Sequence, residues 1–423
     1  MTTTEAATPT IGPADALLFE LLATPEGRAD PYPRYAQLRE NWPVHRLVLE
    51  APGSSVGTWV LTRFDHCQTV LRHPRVGKDF NAMQRRWGLS GEELAAQQAF
   101  SSDRPSMLFL DPPDHTRLRG LVSKAFTPRT VEALRPKIER LADEVLDTLG
   151  TGEVDIMAAL AFPLPVSVIG EVLGVPAADR PQFQRLVRAS AAALEPFVPP
   201  EALTLANEAT LEMEDYFRHL VAERRQAPGD DLLTQLIAAE DDGDQLSTQE
   251  LLSTAILLFA AGFETTTNLI GNGLLALLRH PEQLERLRRD PGLLPSAVDE
   301  LLRYDSPVQV NGRVVGDDIE IDGHALPAGA IVLVLQGAAN RDPLHFSDPD
   351  QLDVGRAEGA SMSFGTGIHF CLGAALARVE GQVVFGRLLE RFASIELRND
   401  NPPYRDSITL RGLAELPVRL HPA

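Results

Sequence analysis

The chain has 423 residues, of which 44% are hydrophobic and 23% charged, and these proportions exclude a disordered or fibrous chain. Its 39 Lys and Arg residues against 59 Asp and Glu residues give a net charge of −20, which disfavours binding to nucleic acids or anionic membranes. Its only cysteines, Cys67 and Cys371, are too few for a disulfide framework, and MTTTEAATPT at the start lacks the features of a signal peptide, so we expect a cytoplasmic protein.

The first elements in chain order are an arm and two amphipathic helices. Residues 1–13 are rich in Thr, Ala and Pro and are predicted to form a loose N-terminal arm. No Ser- or Gly-rich linker interrupts residues 14–423, which we therefore expect to form a single domain. Apolar residues spaced three and four apart predict helices over residues 131–149 and 202–225.

A long apolar helix comes next. Ser247 and Glu250 have the spacing of a capping box at its start, and the apolar pattern runs to about His280. Its segment 251–278 is long enough to span a membrane, but Glu264 in the middle would be costly in lipid. A buried helix is therefore the better interpretation.

Short strands follow the long helix. Residues 319–321 and 331–335 have strand composition, and the turns between them predict a small antiparallel sheet. The sequence therefore indicates a mainly α fold with a minor antiparallel β portion.

The stretch FGTGIHFCLG, residues 364–373, holds one of the two cysteines. Gly365 and Gly367 allow a tight turn and a close approach to a flat group, because neither has a Cβ atom. Apolar residues at helical spacing after the stretch place Cys371 just before a helix. A helix N-terminus stabilises a thiolate and lowers its pKa, so we predict that Cys371 is an anion.

Other uses of a lone thiolate fit the sequence less well. A structural zinc needs about four ligands, and neither a CxxC pair nor the CxxCH of a c-type haem is present. His369 is two residues from Cys371, a poor geometry for a Cys–His nucleophile, and Phe370 replaces the last glycine of a GxGxxG loop. A thiolate ligand to haem iron remains, with Phe364 shielding the sulfur.

The same stretch resembles the haem-binding loop of the cytochrome P450 family. The family pattern FGxGxHxCxG is matched by Phe364, Gly365, Gly367, His369, Cys371 and Gly373. The resemblance covers the chain from about Asp30 to Pro422 and implies the mostly helical P450 fold. It also implies haem b as cofactor, with Cys371 as the axial ligand of its iron. Cys67 lies outside such a motif and is predicted to be buried and inert.

Two further motifs resemble the family's structural network. Glu300 and Arg303 in DELLR are three residues apart and can pair on one helix face. The resemblance adds Arg341, in ANRDP, as a third member near the thiolate side of the haem. We expect this network to fix the fold and the cysteine loop.

A second group of residues resembles the family's contacts to the haem propionates. His115 and Arg119 in DPPDHTRLR lie four apart on one helix face, which suits a carboxylate. The resemblance assigns the propionates to these two residues together with Arg313 and His369.

The long helix carries AGFETT, which resembles the family segment that crosses the oxygen-binding face of the haem. Ala261 and Gly262 are small enough for a ligand to lie against the helix. The resemblance implies that Glu264 relays protons from solvent and that Thr265 delivers them to bound dioxygen. It also places Ala261 and Leu108 against the haem.

The function implied by the resemblance is that of a soluble bacterial monooxygenase. Such an enzyme inserts one oxygen atom of O2 into a hydrophobic small molecule, by hydroxylation or epoxidation. The chain has two cysteines, and 52 residues follow Cys371, so it lacks an iron–sulfur centre and a flavin domain. We therefore expect a separate ferredoxin or flavodoxin with an NAD(P)H-dependent reductase, no membrane anchor, and a monomer.

The substrate pocket is expected in the variable segments above the haem. Its side chains favour a sizeable apolar guest, such as a macrolide or other polyketide, a steroid, a terpenoid or a fatty acid. By family position the lining includes Phe80, Met83, Trp87, Phe197, Val198, Val308 and Val310.

Other functions remain open at this point. A peroxygenase would use hydrogen peroxide directly, although by resemblance it would have Arg-Pro in place of Glu264 and Thr265. A haem carrier or gas sensor would need the cysteine loop without the proton-delivery pair. A nicotinamide dehydrogenase is the alternative from a different fold.

Overall fold

The structure, a computed structural model, describes residues 11–47, 57–80, 106–241 and 246–423. Most of these residues are helical. The α-helices are α1 (Pro13–Ala23), α2 (Pro25–Ala29), α3 (Tyr32–Asn41), α4 (Phe64–Arg72), α5 (Asp114–Ser123), α6 (Pro128–Asp147), α7 (Pro163–Leu173), α8 (Phe183–Ala191), α9 (Pro200–Gln226), α10 (Leu232–Asp241), α11 (Thr248–Arg279), α12 (Pro281–Arg289), α13 (Leu294–Tyr304), α14 (Gln336–Ala339) and α15 (Ala374–Arg391). Shorter 3-10 turns include Met107–Phe109, Ala192–Leu194 and Gly367–His369.

The strands form three small sheets. They are β1 (Val44–Arg46), β2 (Thr58–Leu61), β3 (Val76–Gly77), β4 (Gly152–Asp155), β5 (Val310–Val315), β6 (Ile319–Ile321), β7 (His324–Leu326), β8 (Ile331–Leu335), β9 (Phe392–Leu397) and β10 (Pro417–Pro422). The first sheet has the order β1-β2-β8-β5-β3, the second β4-β10-β9, and β6 and β7 form a hairpin. All pairs are antiparallel except β2 with β8, which is parallel.

The mainly α fold with a minor β portion is confirmed, but the strand pairing differs from the prediction. The sequence predicts residues 319–321 and 331–335 in one antiparallel sheet, whereas they belong to different sheets. β6 turns back onto β7 through Asp322 and Gly323, which have positive φ angles of 50° and 77°. β8 instead lies between β5 and β2, where it is buried on both sides and follows a continuous apolar run typical of such a strand.

The predicted helices are confirmed with small shifts at their ends. The helix expected over 131–149 is α6, the one expected over 202–225 is α9, and the long apolar helix is α11. At the start of α11, Ser247 and Glu250 form both hydrogen bonds of a capping box. The predicted arm, residues 1–13, lies mostly outside the described residues, and α1 begins at Pro13.

Helix α11 is the centre of the fold. Between residues 250 and 277, every residue is buried except Ala261, Gly262 and Thr265. Helix α11 packs against α7, α9, α13 and α15, and these helices share one large hydrophobic core with it. None of the helices in the described ranges is long and apolar enough to cross a membrane. The three less buried residues open onto a cavity.

Candidate functional site

A cavity of about 1100 Å³ lies beside α11 and the loop that precedes α15. Its wall includes Ala261 and Thr265 of α11, and Cys371 with Gly373 at the start of α15. This volume exceeds the roughly 300–1,000 Å³ of a pocket for a single drug-sized ligand. The cavity can therefore hold a large planar group and a second molecule.

The cysteine loop is a set of tight turns in which two glycines have left-handed backbones. Gly365 and Gly367 have φ angles of 67° and 75°, where a side chain is strained. A Cβ atom on Gly367 would lie 2.5 Å from the carbonyl oxygen of Leu71, so this glycine lets the loop pack on the end of α4. The Cys371 backbone N–H donates to the Phe364 carbonyl oxygen at 2.9 Å and closes the loop.

The Cys371 side chain is accessible from the cavity and is otherwise surrounded by protein atoms. Burial raises the pKa of its thiol, although the Gly373 backbone N–H and the charges of Arg119 and Arg378 act in the opposite direction. The lowered pKa that we predicted from the helix N-terminus is therefore wrong for the polypeptide by itself. Burial of the thiol itself outweighs the effect of the helix start. By contrast, Cys67 is fully buried, as predicted, with its pKa raised by burial.

Two histidines come together at the rim of the cavity near Cys371. The rings of His115 and His369 are 4.2 Å apart between centroids, and both residues line the cavity. His115 Nδ1 and His369 Nε2 are buried, and neither atom has a hydrogen-bond partner among the described residues. His369 Nε2 stands 3.8 Å from Asp111 Oδ1, too far for a hydrogen bond. Burial lowers the pKa of His369 to about 4, against the opposing effect of Asp111.

The two arginines of the predicted propionate group differ in position. Arg119 lines the cavity, and its Nη2 donates to the Phe370 carbonyl oxygen at 2.5 Å. Arg313 is 2% exposed and is absent from the residues that line the cavity. Its guanidinium binds Asn311 Oδ1 and the Gly312 carbonyl oxygen, and burial lowers its pKa to about 10. The structure thus brings three of the four predicted residues to the cavity wall and places Arg313 behind it.

Lys78 is a basic residue of the cavity wall that the sequence did not indicate. It is 7% exposed and lines the cavity, with Nζ 5.8 Å from the centre of the Phe109 ring. Burial lowers the pKa of its ammonium well below the usual range, and the nearby charge of Arg313 adds to this effect. The Asp111 carboxylate accepts from the backbone N–H groups of Lys78 and Asp79 and fixes this turn. A single Lys in VGKDF carries no motif that would have indicated the site.

Glu264 and Thr265 lie side by side on α11 but face different surroundings. Glu264 is 3% exposed, and its Oε1 is bound by Nη1 of Arg405. Its Oε2 has no hydrogen-bond partner among the described residues. Thr265 Oγ1 donates to the Ala261 carbonyl oxygen at 3.3 Å, a bond within the helix that leaves the hydroxyl at the cavity wall.

The two small residues before this pair have different roles. Ala261 lines the cavity. Gly262 also borders it, but a Cβ atom there would lie 2.6 Å from Cγ1 of Ile169. Gly262 therefore allows α11 to pack closely on α7.

Glu300 and Arg303 form a buried, bidentate ion pair on α13. Arg303 Nε lies 2.7 Å from Glu300 Oε2, Arg303 Nη2 lies 2.8 Å from Glu300 Oε1, and the Arg303 and Glu300 side chains are 2% and 1% exposed. Arg303 Nη1 also binds the Asn340 carbonyl oxygen at 2.8 Å. The Asn340 side chain in turn binds Met362 N at 2.6 Å and Ser363 Oγ at 2.9 Å, directly before the cysteine loop. The pair is thus connected to that loop through one residue.

The third member of this network is Arg356, and the prediction of Arg341 is wrong. Arg356 Nε donates to Glu300 Oε2 at 3.1 Å. Arg341 lies between the rings of Tyr32 and Tyr304, at 4.1 and 3.9 Å from their centres, and pairs with Asp350. Its place is still structural, because it joins α3 to the end of α13.

The predicted pocket residues line the cavity wherever the structure describes them. Met83 and Trp87 lie outside the described residues. Phe197 is 51% exposed and so forms part of the mouth of the cavity. The residues found in the wall are Phe80, Leu108, Phe197, Val198, Val308 and Val310, together with Phe364 and Gly365 of the cysteine loop.

Two carboxylates in the cavity wall were not predicted from the sequence. Glu380 of α15 is 1% exposed, and its Oε2 has no hydrogen-bond partner among the described residues. Burial raises the pKa of Glu380 well above its usual range, so the neutral acid is favoured. Glu195 follows the 3-10 turn Ala192–Leu194, and burial raises its pKa despite three hydrogen bonds. Helical periodicity alone could not distinguish either residue from a solvated one.

The comparisons with known proteins agree with this site. The family model described as "Cytochrome P450" matches residues 90–291 and 292–419. Cytochrome P450 107B1 of Saccharopolyspora erythraea is 45% identical over 95% of this chain and 98% of its own length. The 6-deoxyerythronolide B hydroxylase of the same organism is 42% identical over 92% and 96%. The tirandamycin C-bound P450 monooxygenase TamI superposes with a TM-score of 0.83 at 41% identity, over 93% of this chain and 98% of its own.

Three observations lead to one assignment. A cavity lies next to a single accessible cysteine, a less buried stretch of α11 borders this cavity, and the matches cover nearly the whole chain. The chain belongs to the cytochrome P450 family and is a monooxygenase.

Proposed function

We propose that this monooxygenase binds haem b through Cys371 and hydroxylates or epoxidises a large apolar molecule held in the same cavity. One observation carries the proposal. A single cavity is bordered by an accessible cysteine at the start of α15 and by Ala261 and Thr265 of α11. The cofactor, the substrate and the proton-handling side chains can therefore meet in one enclosed space.

The residues present fit haem in three respects. Cys371 supplies a single thiolate, and among the described residues no three His, Cys, Asp or Glu side chains group into a metal site of their own. A Cβ atom on Gly373 would meet no atom within 4 Å, which leaves room for a flat group beside the helix start. His115 and His369 offer unpaired donor nitrogens, and Arg119 and Lys78 add charge, as two buried propionates require.

When bound, haem activates dioxygen with two electrons and two protons, so that one oxygen atom enters a C–H bond and the other leaves as water. The protein's part is to move those protons. Thr265 Oγ1 donates to Ala261, which leaves the lone pairs of the same oxygen for a donor in the cavity. Glu264 Oε2, which has no partner in the described residues, can take up a proton and pass it to the Thr265 hydroxyl.

The electrons come from a separate ferredoxin or flavodoxin with its NAD(P)H-dependent reductase. Two cysteines are too few for the four thiolates of an iron–sulfur cluster, so these 423 residues do not hold such a donor themselves. Basic residues near the cysteine side of the cavity, Arg117, Lys124 and Arg378, are candidate contacts for an acidic donor. Two of them have intramolecular partners, because Arg117 pairs with Glu250 and Arg378 with Asp299.

The substrate class is a macrolide or other polyketide. The cavity volume of about 1100 Å³ and its apolar wall support a guest of that size. The similar PksS of Bacillus subtilis, 41% identical over 95% of this chain, is named as a cytochrome P450 of polyketide biosynthesis. Titrations of the haem spectrum with a panel of polyketides, steroids, terpenoids and fatty acids test this, and tightest binding by another class would contradict it.

The experiment for the whole proposal uses the purified enzyme with three variants. Cys371→Ser should lose the carbon-monoxide spectrum typical of thiolate ligation, whereas Cys67→Ser, a change at the other cysteine, should keep it. Thr265→Ala should lower the product formed per NAD(P)H, because protons are no longer delivered in order. Fully coupled turnover in Thr265→Ala would contradict the proton-handling roles of Glu264 and Thr265, and full activity with hydrogen peroxide alone would indicate a peroxygenase.

A further inference from the structure

One carboxylate and two amide side chains form a polar stripe on helix α11. Glu264, Asn268 and Asn272 are four residues apart and therefore share one face of the helix. All three are buried, and all three bind the same segment near the end of the chain, residues 403–414. A polar stripe of this kind is costly in a hydrophobic core unless every member has a partner.

Residues 403–414 form a hairpin, which we call the C-terminal hairpin. Tyr404 pairs with Leu413, Arg405 N donates to the Gly412 carbonyl oxygen at 2.9 Å, and Ala414 N donates to the Pro403 carbonyl oxygen at 2.8 Å. The hairpin therefore holds its own shape next to α11.

Arg405, in the first arm of the hairpin, holds two members of the stripe. Its Nη1 binds Glu264 Oε1, and its Nη2 donates to Asn268 Oδ1 at 2.6 Å. A Cβ atom on Gly412 would lie 2.0 Å from Asn268 Oδ1 and 2.8 Å from Arg405 Nη2, so the cluster is packed tightly against the second arm. Arg405 Nε has no hydrogen-bond partner among the described residues. The direction of the guanidinium consequently depends on the backbone of the hairpin.

The tip of the hairpin is held by Glu195, a residue of the cavity wall. Glu195 Oε1 accepts from Ser407 Oγ at 2.5 Å and from Thr409 N at 3.2 Å, and Oε2 accepts from Ile408 N at 3.2 Å. Thr409 Oγ1 adds a bond to the Leu194 carbonyl oxygen at 3.1 Å. Four hydrogen bonds thus join residues 194–195 to three consecutive residues of the tip.

Arg405, which binds Glu264, and Ser407, which binds Glu195, are only two residues apart on the hairpin. Ser407 N donates to the Arg405 carbonyl oxygen at 2.9 Å, so a change at the tip moves the backbone that carries Arg405. Glu195 also precedes Phe197 and Val198 in the wall at the mouth of the cavity. Glu264 and the cavity mouth are therefore bound to a single short piece of chain.

We propose that Arg405 is the positioning residue of the proton-relaying acid Glu264, and that Glu195 keeps Arg405 in place through the tip of the C-terminal hairpin. This inference rests on the proposed function, because it assigns a purpose to Arg405 only if Glu264 handles protons. Arg405 restrains Glu264 Oε1 and leaves Oε2 for the proton. Without the hydrogen bonds from the tip to Glu195, Arg405 loses its backbone support and Glu264 is no longer held in one orientation.

The test combines Glu195→Gln and Arg405→Gln in a double-mutant cycle. Glu195→Gln removes the charge that accepts three hydrogen bonds but keeps the size of the side chain. We expect faster hydrogen exchange in peptides covering residues 403–414 and a fall in product formed per NAD(P)H of at least about twofold, as for contacting residues of one network. In the Arg405→Gln background, Glu195→Gln should change this ratio no further. Glu212→Gln, which removes the acid of an exposed pair with Arg185, is the matched control and should change neither measurement.

The outcomes separate this inference from the proposed function. The inference is overturned if Glu195→Gln leaves hydrogen exchange in residues 403–414 unchanged. It is also overturned if Glu195→Gln lowers the product formed per NAD(P)H by the same factor in the wild type and in the Arg405→Gln background. Arg405→Lys replaces Arg405→Gln if the Gln variant does not fold. Lysine keeps the positive charge but lacks the forked guanidinium that reaches both Glu264 and Asn268. The product formed per NAD(P)H by Arg405→Lys should lie between the values of the wild type and of Glu195→Gln. Thr265→Ala, measured in parallel, tests the proton relay by itself, because fully coupled turnover there contradicts the function and leaves the exchange result standing.

Discussion

Replacing Glu300 by Gln tests the buried network that supports the cysteine loop. Glu300 accepts four hydrogen bonds, two from Arg303, one from Arg356 and one from the backbone N–H of Asp353. A Gln side chain can accept at only one of its two ends, and its amide N–H would face a guanidinium, which has no acceptor to offer. Two buried arginines, 2% and 8% exposed, would lose the charge that balances them.

The expected magnitude follows from this burial. Breaking a buried ion pair by removing one partner costs about 3–5 kcal/mol, because the remaining charge is left without compensation. Unfolding entropy of about 2.1 cal/mol/K per residue corresponds to roughly 0.9 kcal/mol/K for a chain of this length. The melting temperature of Glu300→Gln should therefore fall by about 3–6 °C. Because Arg303 binds Asn340, which anchors Met362 before the cysteine loop, haem content should fall as well.

The assay is thermal unfolding of the haem-loaded enzyme, followed by circular dichroism and by haem absorbance in parallel. The matched control is Glu390→Gln, which removes the acid of an exposed pair with Arg387 at the same three-residue spacing. An exposed pair contributes about 0–1 kcal/mol, so this control should melt within about 1 °C of the wild type. If the melting temperature of Glu300→Gln equals that of Glu390→Gln, the buried network does not contribute the stability assigned to it.

Three further changes test other parts of the site. Lys78→Met removes an ammonium from the cavity wall, and haem should dissociate roughly tenfold faster in transfer to apomyoglobin; an unchanged rate would exclude Lys78 from the haem site. Glu380 has a raised pKa in the fold, so its contribution to stability declines as pH rises above about 4.5, by up to about 1.4 kcal/mol per pH unit. Because Glu380→Gln cannot ionise, its melting temperature minus that of the wild type should increase from pH 5.5 to pH 8; a difference that stays constant over this range would refute the reasoning. Gly412→Ala, which crowds Asn268, should destabilise by about 1–3 kcal/mol in denaturant unfolding, whereas Gly120→Ala, a helical site with open space, should stabilise by about 0.5–1 kcal/mol.

The parts of the molecule that local sequence patterns determine could be predicted. Ser247 and Glu250 indicate the start of α11 because a capping box depends only on residues three apart. Helix α15 begins at Ala374, just after Cys371, as the helical spacing predicts. Glycines and a cysteine within ten residues were likewise enough to indicate the cysteine loop.

The parts that depend on distant contacts could not be predicted. The parallel pairing of β2 with β8 joins Thr58 to Ile331, and nothing within either strand identifies the other. Arg341 and Arg356 both lie downstream of α13, and only the path of the chain between them decides which one reaches Glu300. The pKa of Cys371 depends on how far its thiol is buried, and burial of this kind is a property of the whole fold.

The C-terminal hairpin also determines when the cavity can take its final shape. Arg411 Nη1 in the hairpin donates to the carbonyl oxygen of Arg28 at 2.8 Å, across 383 residues of sequence. At a synthesis rate of about 5–20 residues per second, Arg28 waits roughly 20–80 s for this partner to be made. The helices before the hairpin can fold during translation. The part of the cavity wall that Glu195 joins to the hairpin cannot form until the hairpin has been synthesised. A cofactor that needs the finished cavity can therefore join this protein only after the C-terminal hairpin has been made.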